Sequence, residues 1–406
     1  MKIVIVGDGK VGCTLTERLS KEGHDIVVID NNRQVLRESA EIFDVMAVHG
    51  NGASLRVQKA ADVQNSDLLI AAASGDELNL LCCIIARKLG CKHTIARMRN
   101  PEYVEQLFFL REELGLSMMI NPERASAKEI FRLLQFPTFL KRDSFAKGRA
   151  EIVEIVLREG SILSGKRLNE LYKIAKVKVL VCAVEREDRV YIPDGSFRLQ
   201  RGDKLYVTAP TQDLTALIKH LGLEKIKVRN AILVGGSRIA YYLARELEEA
   251  GIGVKIIETS EDRCNQLAEL LPRAQIVHAD GSSQAVLRAE GIEQTDAVVT
   301  LTNIDEENLL ISMFANYLHV PKVVTKINRT EYTEVIRDKG IDSVISPKLL
   351  CANDIVRYVR AMQNTTGSVL ALHRIVDERV EALEFLASPS TRHLGETLQQ
   401  ITLKPD

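Results

Sequence analysis

The sequence predicts an α/β protein: two Rossmann-like, doubly wound parallel-sheet lobes, each followed by a small α+β C-lobe, the second of which is incomplete. Three observations carry that reading. A glycine turn, Gly7-Asp8-Gly9-Lys10-Val11-Gly12, lies between two apolar runs, and the second run ends on Asp30. Apolar runs then alternate with helical patterns at the spacing of βα units. Finally, the whole pattern returns from Asn230 onward. A return this long is an internal duplication.

Ile3-Val4-Ile5-Val6 reads as a strand apolar on both faces, as a buried parallel strand must be. Gly7 permits the tight turn, Gly9 allows main chain to approach a pyrophosphate, and Gly12 allows close helix–strand packing. The helix that follows, to about Leu19, presents unpaired N–H groups and partial positive charge to an anion. Asp30, ending Ile26-Val27-Val28-Ile29, stands where a carboxylate takes the hydroxyls of an adenosine ribose. Further strands are expected at 45–49, 67–73, 93–97 and 115–120, with helices at 33–42, 55–61 and 76–89. Ligands of such sheets lie beyond the carboxyl ends of the strands. Asn51, Ala73, Ser74 and Arg97 fall at those ends and join Gly7, Asp8, Gly9, Lys10, Val11 and Asp30 as the first nucleotide site. Asn51 is suited to an adenine or ribose edge, and Arg97 to phosphate.

An amphipathic helix at 125–134 closes the first lobe. The charged stretch 141–148 has no clear period and marks a boundary. Strands at 152–157, 177–184, 190–192 and 204–207, with helices at 168–173 and 213–221, make a small α+β unit carrying no catalytic constellation. Ala231-Ile232-Leu233-Val234-Gly235-Gly236-Ser237-Arg238-Ile239-Ala240 then lays over residues 3–12, and the same offset carries Asp30 onto Glu258. With one residue inserted, Asn51 meets Asp280 and Arg97 meets Lys326. The second candidate site is therefore Gly235, Gly236, Ser237, Arg238, Ile239, Glu258, Asp280 and Lys326. Ser237 replaces Gly9 and puts a side chain where phosphate approaches; Arg238, in the place of Lys10, adds charge. The expected boundaries are 1–140 and 226–364 for the Rossmann-like lobes, 141–225 for the first C-lobe and 365–406 for a partial second one. That partial lobe is expected to stop after its first strand and helix, leaving a strand edge in need of a partner.

The chain has 406 residues, 46% hydrophobic and 27% charged, with a net charge of −1. Those totals fit a globular protein and offer no basic field for nucleic acid. Seven cysteines without a CxxC read as reduced thiols, not as disulfides or a metal site. The N-terminus runs straight into a core strand, so no signal peptide is expected. No run approaches the ~20 apolar residues of a membrane helix, so a membrane role has to pass through a partner.

With both copies in view, the chain resembles the Trk potassium-uptake family, specifically its TrkA-type NAD-binding peripheral subunits with tandem RCK (KTN) units. The resemblance rests on residues 1–12, Val28-Ile29-Asp30, Ser74-Gly75-Asp76-Glu77-Leu78-Asn79, residues 95–103 and the duplication. It implies a cytoplasmic, non-enzymatic regulator at the inner face of the membrane. Such a subunit binds NAD(H) and, in addition, ATP or ADP, and self-associates into a gating ring beneath a membrane-embedded potassium transporter. The rival is an NAD-dependent oxidoreductase, which needs an acid/base beside the nicotinamide. His49 and His278 recur in both copies, but on the adenosine side, which fits binding or structure better than catalysis.

Overall fold

The computed structural model describes residues 1–103, 106, 111–135, 142–145, 150–157, 160–187, 189–221, 227–329, 341, 343–363, 369–376, 379–385, 387, 389, 393–397 and 401. The chain divides into two compact units. One comprises Met1–Pro137 with Ile226–Val356, the other Thr138–Lys225 with Arg357–Asp406.

The first unit holds two six-stranded parallel sheets. In the first, β1 (Lys2–Val6) is central, and its Ile3, Val4 and Ile5 are fully buried. Burial on both faces at about 1.5–3 kcal/mol per large apolar side chain fixes such a strand in the middle of a sheet. The other strands are β2 (Asp25–Asp30), β3 (Met46–His49), β4 (Leu68–Ala71), β5 (His93–Arg97) and β6 (Met118–Ile120), in the order β3-β2-β1-β4-β5-β6. Strand order reverses between β1 and β4, and the crevice for a ligand opens there. Helix α1 (Lys10–Lys21) buries Val11, Leu15 and Leu19, one face at helical spacing. Helix α2 (Arg33–Phe43) starts at Asn32, whose side chain accepts from the Gln34 and Val35 N–H groups. α3 (Leu55–Ala60) is short, and α4 (Asp76–Leu89) opens on Asp76 and Glu77 and stops at Gly90, φ +115°.

Helix α5 (Pro122–Gln135) leaves its own sheet's strands for the second lobe. Ala127, Ile130, Leu133 and Leu134 share a core with Ile239, Ala240 and Leu243 of the second lobe. Asn121 Nδ2 donates to Tyr242 Oη at 3.0 Å across the same boundary. The expected helix at 125–134 is thus present, and what it buries is the other lobe.

The C-lobe belongs to the second unit. Its strands β7 (Arg142–Phe145), β8 (Ala150–Val156), β9 (Leu180–Arg186), β10 (Arg189–Tyr191) and β11 (Lys204–Ala209) pair antiparallel in the order β10-β9-β11-β8-β7. Strand β7 falls within 141–148, which the sequence marks as a boundary without clear period; pairing with β8 supplies the order that periodicity does not. Helices α6 (Leu171–Ala175) and α7 (Thr211–His220) complete the lobe. Arg186 grips Asp203 through Nε–Oδ1 at 2.7 Å and Nη2–Oδ2 at 2.8 Å and lies 5.1 Å from the Phe197 ring centroid. That bond to Asp203 holds the guanidinium pKa above its ordinary value.

The second Rossmann-like lobe repeats the first: β12 (Asn230–Val234), α8 (Arg238–Glu249), β13 (Gly253–Glu258), α9 (Glu261–Leu270), β14 (Gln275–His278), α10 (Gln284–Ala289), β15 (Ala297–Thr300), α11 (Asp305–Tyr317), β16 (Lys322–Lys326), β17 (Val344–Ile345) and α12 (Pro347–Gln363). Its sheet order, β14-β13-β12-β15-β16-β17, is that of the first. Beyond α12 lies an antiparallel pair, β18 (Val369–Ile375) and β19 (Val380–Phe385). The sequence reading foresaw one strand at this point, and the structure has two. Within the second unit, Ile375 and Val376 pack with Ile152, Ala183 and Tyr206 of the first C-lobe.

Candidate nucleotide sites

Both lobes build their strand-end crevice from glycines that a side chain would destroy. Gly7 has φ +92°, and a Cβ on it would lie 2.7 Å from the Ala73 main chain. A Cβ on Gly12 would lie 1.8 Å from the Gly7 carbonyl oxygen. Gly9, by contrast, has nothing within 4 Å of a Cβ position, so open space lies in front of the α1 N-terminus. No side chain caps that helix end, and its first N–H groups remain available to an anion. Gly235, φ +100°, repeats the turn against Leu301 and Thr302.

Asp30 closes the loop from the β2 end. Its Oδ2 accepts from the Asp8 N–H at 2.7 Å, and its Oδ1 from the Asn32 N–H at 2.8 Å. Each oxygen keeps a lone pair for a further donor. Glu258 does the same in the second lobe, accepting from Gly236 N–H at 2.6 Å, Ser260 N–H at 2.8 Å and Thr259 Oγ1 at 3.2 Å. Burial works against the charged Glu258 carboxylate, but these donors outweigh it and hold its pKa below the ordinary value.

The remaining first-site residues take distinct positions. Lys10 is exposed at the start of α1, whereas the Val11 side chain is buried and offers only main chain to the crevice. Asp8 is 2% exposed and turns its carboxylate inward, beside Ser39 but without a hydrogen bond of good geometry. Burial raises its pKa. Asn51 folds its Oδ1 back onto the Ala53 N–H at 2.9 Å, next to Gly50, whose N–H donates to Asp30 O. Arg97 ends β5 with its guanidinium 3.8 Å from Glu123, and burial pulls its pKa down. The Ser74 carbonyl accepts from Arg99.

In the second site, Ser237 occupies the extended N-cap position that Gly9 holds, and its Oγ accepts from the Ala240 N–H at 3.4 Å. One of the helix donors open in the first lobe is therefore engaged in the second. Arg238 is exposed, and Ile239 is buried. Asp280 spends Oδ1 on the Ser282 N–H and hydroxyl. Lys326 is 6% exposed; Nζ donates to the Thr302 carbonyl at 2.9 Å, and burial lowers its pKa.

Four residues of this framework escaped the sequence reading although the repeat displays them. Asn79, fully buried, bonds Ala73 N, Ala73 O and Arg97 O; Asn308 bonds Thr302 N, Thr302 O and Lys326 O. Asp76 accepts from the Arg99 and Asn100 N–H groups, and Asp305 from those of Asn328 and Arg329. These side chains pin the ends of β4 and β5, and of β15 and β16. A fifth residue, Arg263, is peculiar to the second lobe, where Nε donates to the Gly236 carbonyl at 2.7 Å.

Reactive groups at the crevices are engaged elsewhere. His49 and His278 each place Nε2 on a main-chain carbonyl, of Asn31 and Thr259 respectively. Burial pushes the Cys82 thiol up to about 12. Among the described residues no cluster of His, Cys, Asp or Glu could hold a metal, and no helix is long and apolar enough to cross a membrane.

The TrkA-N domain model matches residues 3–122 and 231–347, and the TrkA-C domain model matches residues 152–222. A "Trk system potassium uptake protein trkA homolog 1" of Methanosarcina mazei is 32% identical over 409 residues, covering 99% of this chain and 98% of that protein. Among solved structures, the GsuK channel bound to NAD has a TM-score of 0.66 at 21% identity, covering 92% of this chain and 66% of that one. GsuK bound to ADP has a TM-score of 0.55 at 16% identity, covering 89% and 70%. These two share the fold. The duplicated glycine-turn lobes, the C-lobe between them and the full-length similarity have one conclusion: the chain belongs to the TrkA family of Trk potassium-uptake proteins.

Proposed function

We propose that this chain is the cytoplasmic nucleotide-sensing subunit of a Trk-type potassium-uptake transporter and that NAD(H) bound at the first lobe is its signal. The observation that carries this reading is the open α1 N-terminus in front of Gly9, with Asp30 beside it. Phosphates sit on the Gly7–Val11 turn, the ribose on Asp30, and the adenosine against Asn51, Ala73 and Ser74, with Arg97 at the phosphate side. The second lobe, with Gly235–Ile239, Glu258, Asp280 and Lys326, takes NAD(H) or ATP/ADP. The chain works as lobes 1–140 and 226–364, a C-lobe 141–225 and a partial one 365–406. Support for the nucleotide comes from the solved neighbours holding NAD and ADP, and support for the transporter from the relative's description as a Trk system potassium uptake protein.

Self-association into a ring gives the sensor its lever. Leu310, Met313 and Tyr317 line one face of α11 at 67%, 44% and 74% exposure, and Leu81 is 48% exposed at the matching place on α4. Apolar stripes of this kind mark interaction surfaces. Nucleotide then shifts the ring between two states by its differential affinity, with couplings of about 1–3 kcal/mol typical. The test is calorimetric titration of the full chain with NADH, ADP and ATP, followed by co-purification with its membrane transporter with and without nucleotide. Binding plus nucleotide-dependent association is expected. Turnover of NADH with a small substrate would instead establish the oxidoreductase.

A further inference from the structure

Tyr242 stands in the second lobe but spends its hydroxyl on the first. It lies on α8, one turn on from Arg238, so it travels with the helix end that forms the second phosphate turn. The residue is 9% exposed and belongs to the core that α8 shares with α5. A buried tyrosine hydroxyl needs partners, and this one has both a donor and an acceptor. Asn121 Nδ2 donates to it at 3.0 Å, and Oη donates onward to the Arg99 carbonyl at 3.4 Å. Both partners belong to the first lobe: Asn121 just precedes α5, and Arg99 lies two residues beyond the end of β5.

From Arg99 the connection continues into the first crevice. The Arg99 guanidinium donates to the Ser74 carbonyl, and its N–H donates to Asp76 Oδ2 at 2.8 Å. Two residues earlier, the Arg97 carbonyl accepts from Asn79, which also holds both main-chain groups of Ala73. Ala73, Ser74 and Arg97 are all candidate first-site residues, and the second lobe's hydroxyl is among the groups that fix the chain between them. The repeat does not mirror this bridge. Tyr242 lays over Thr14, whose Oγ1 turns back to the Lys10 carbonyl of its own helix at 2.8 Å. Asn121 lays over Ser346, whose buried Oγ has no hydrogen-bond partner among the described residues. The bridge is thus built at one of the two matching places.

We propose that the Tyr242 hydroxyl couples the two nucleotide sites, so that an adenine nucleotide on the Gly235–Ile239 turn tightens NADH binding on the Gly7–Val11 turn. This rests on the reading of both turns as nucleotide sites. An anion at the α8 N-terminus fixes that helix, the helix fixes the hydroxyl, and the hydroxyl holds Arg99 against Ser74. The coupling is a difference in affinity, equal in both directions. Tyr242 is a positioning residue: it acts through Arg99 and not on the nucleotide itself.

The experiment is NADH titration by calorimetry on the full chain, with and without saturating ADP. The first-site step is the one that Asp30→Ala removes; the second site is emptied by Glu258→Ala, in which any competition by ADP at the first turn is read alone and divided out. ADP should tighten the first NADH step about fivefold in the unmodified chain, the lower end of usual couplings. Tyr242→Phe, which loses only the hydroxyl, should abolish that effect. Asn121→Asp should do the same by a different route: it keeps an acceptor for the Arg124 N–H but offers Oη a carboxylate in place of the Arg99 carbonyl. Melting curves report whether each variant folds, and either variant suffices. Coupling that survives the substitutions would overturn the proposal. So would an NADH affinity lowered equally with and without ADP, which marks a packing role. Absence of an ADP step that Glu258→Ala removes, or independent filling of the two sites, would overturn it while leaving the first site standing. Absence of NADH binding to the unmodified chain would overturn the site reading itself, and this inference with it.

Discussion

The space that a Cβ on Gly12 would need is already filled by the carbonyl oxygen of Gly7, 1.8 Å away. That contact lets α1 lie close enough to β1 for its N-terminus to reach the crevice. Gly12→Val should therefore open the turn, costing about 1–3 kcal/mol by overpacking and abolishing the first NADH-binding step. Calorimetry and urea unfolding on the same sample check both. Near-normal binding would mean that the turn tolerates opening.

Asp30 is predicted to be worth about 1–3 kcal/mol of NADH affinity through hydrogen bonds to the ribose. Asp30→Ala should weaken the first binding step by that amount. Because Asp30 also anchors the Asp8 N–H, the variant should melt slightly lower as well.

Asn79 makes three hydrogen bonds from a fully buried position. Asn79→Ala strands the main-chain groups of Ala73 and Arg97, and should cost about 2–4 kcal/mol in urea unfolding. Asn308→Ala should behave alike in the second lobe.

Asp8 sets a pH dependence. Burial raises its folded-state pKa above the unfolded value, so the folded state binds the proton more tightly. Its contribution is favourable below the unfolded pKa and is lost as pH rises through the folded one. Asp8→Asn should then raise the melting temperature at neutral pH, with the gain disappearing in acid. The second lobe solves the same position with Gly236 packed on Leu267, where the first has Asp8 beside Ser39.

Leu310→Asp and Tyr317→Asp place charge on the exposed stripe of α11. Light scattering should show smaller assemblies, with NADH affinity intact. An unchanged mass would show that copies of the chain do not associate through this stripe.

Most of the sheet architecture was legible because two-sided burial forces uninterrupted apolar runs such as Ile3–Val6 and 67–73, and the glycines punctuate them. The repeat made the second lobe readable from the first. The strand at Arg142–Phe145 was not legible, because its order comes from pairing with Ala150–Val156 and not from its own pattern. Nor was the destination of α5: an amphipathic face declares that it is buried without declaring against what. Asn79 and Asp76 were visible as matching letters, but their bonds join strand ends that only the folded chain brings together.

Helix α5 spends its apolar face on the second lobe. A duplicated fold whose first half completes the second has the geometry of a symmetric dimer made continuous by a covalent link. In a true homodimer every substitution appears twice, so the two crevices must change together. Once joined in one chain, they were released from that constraint. Gly9 and Ser237 are one such pair of positions: the first leaves its helix end uncapped, the second caps its own, and the two crevices of one polypeptide differ there.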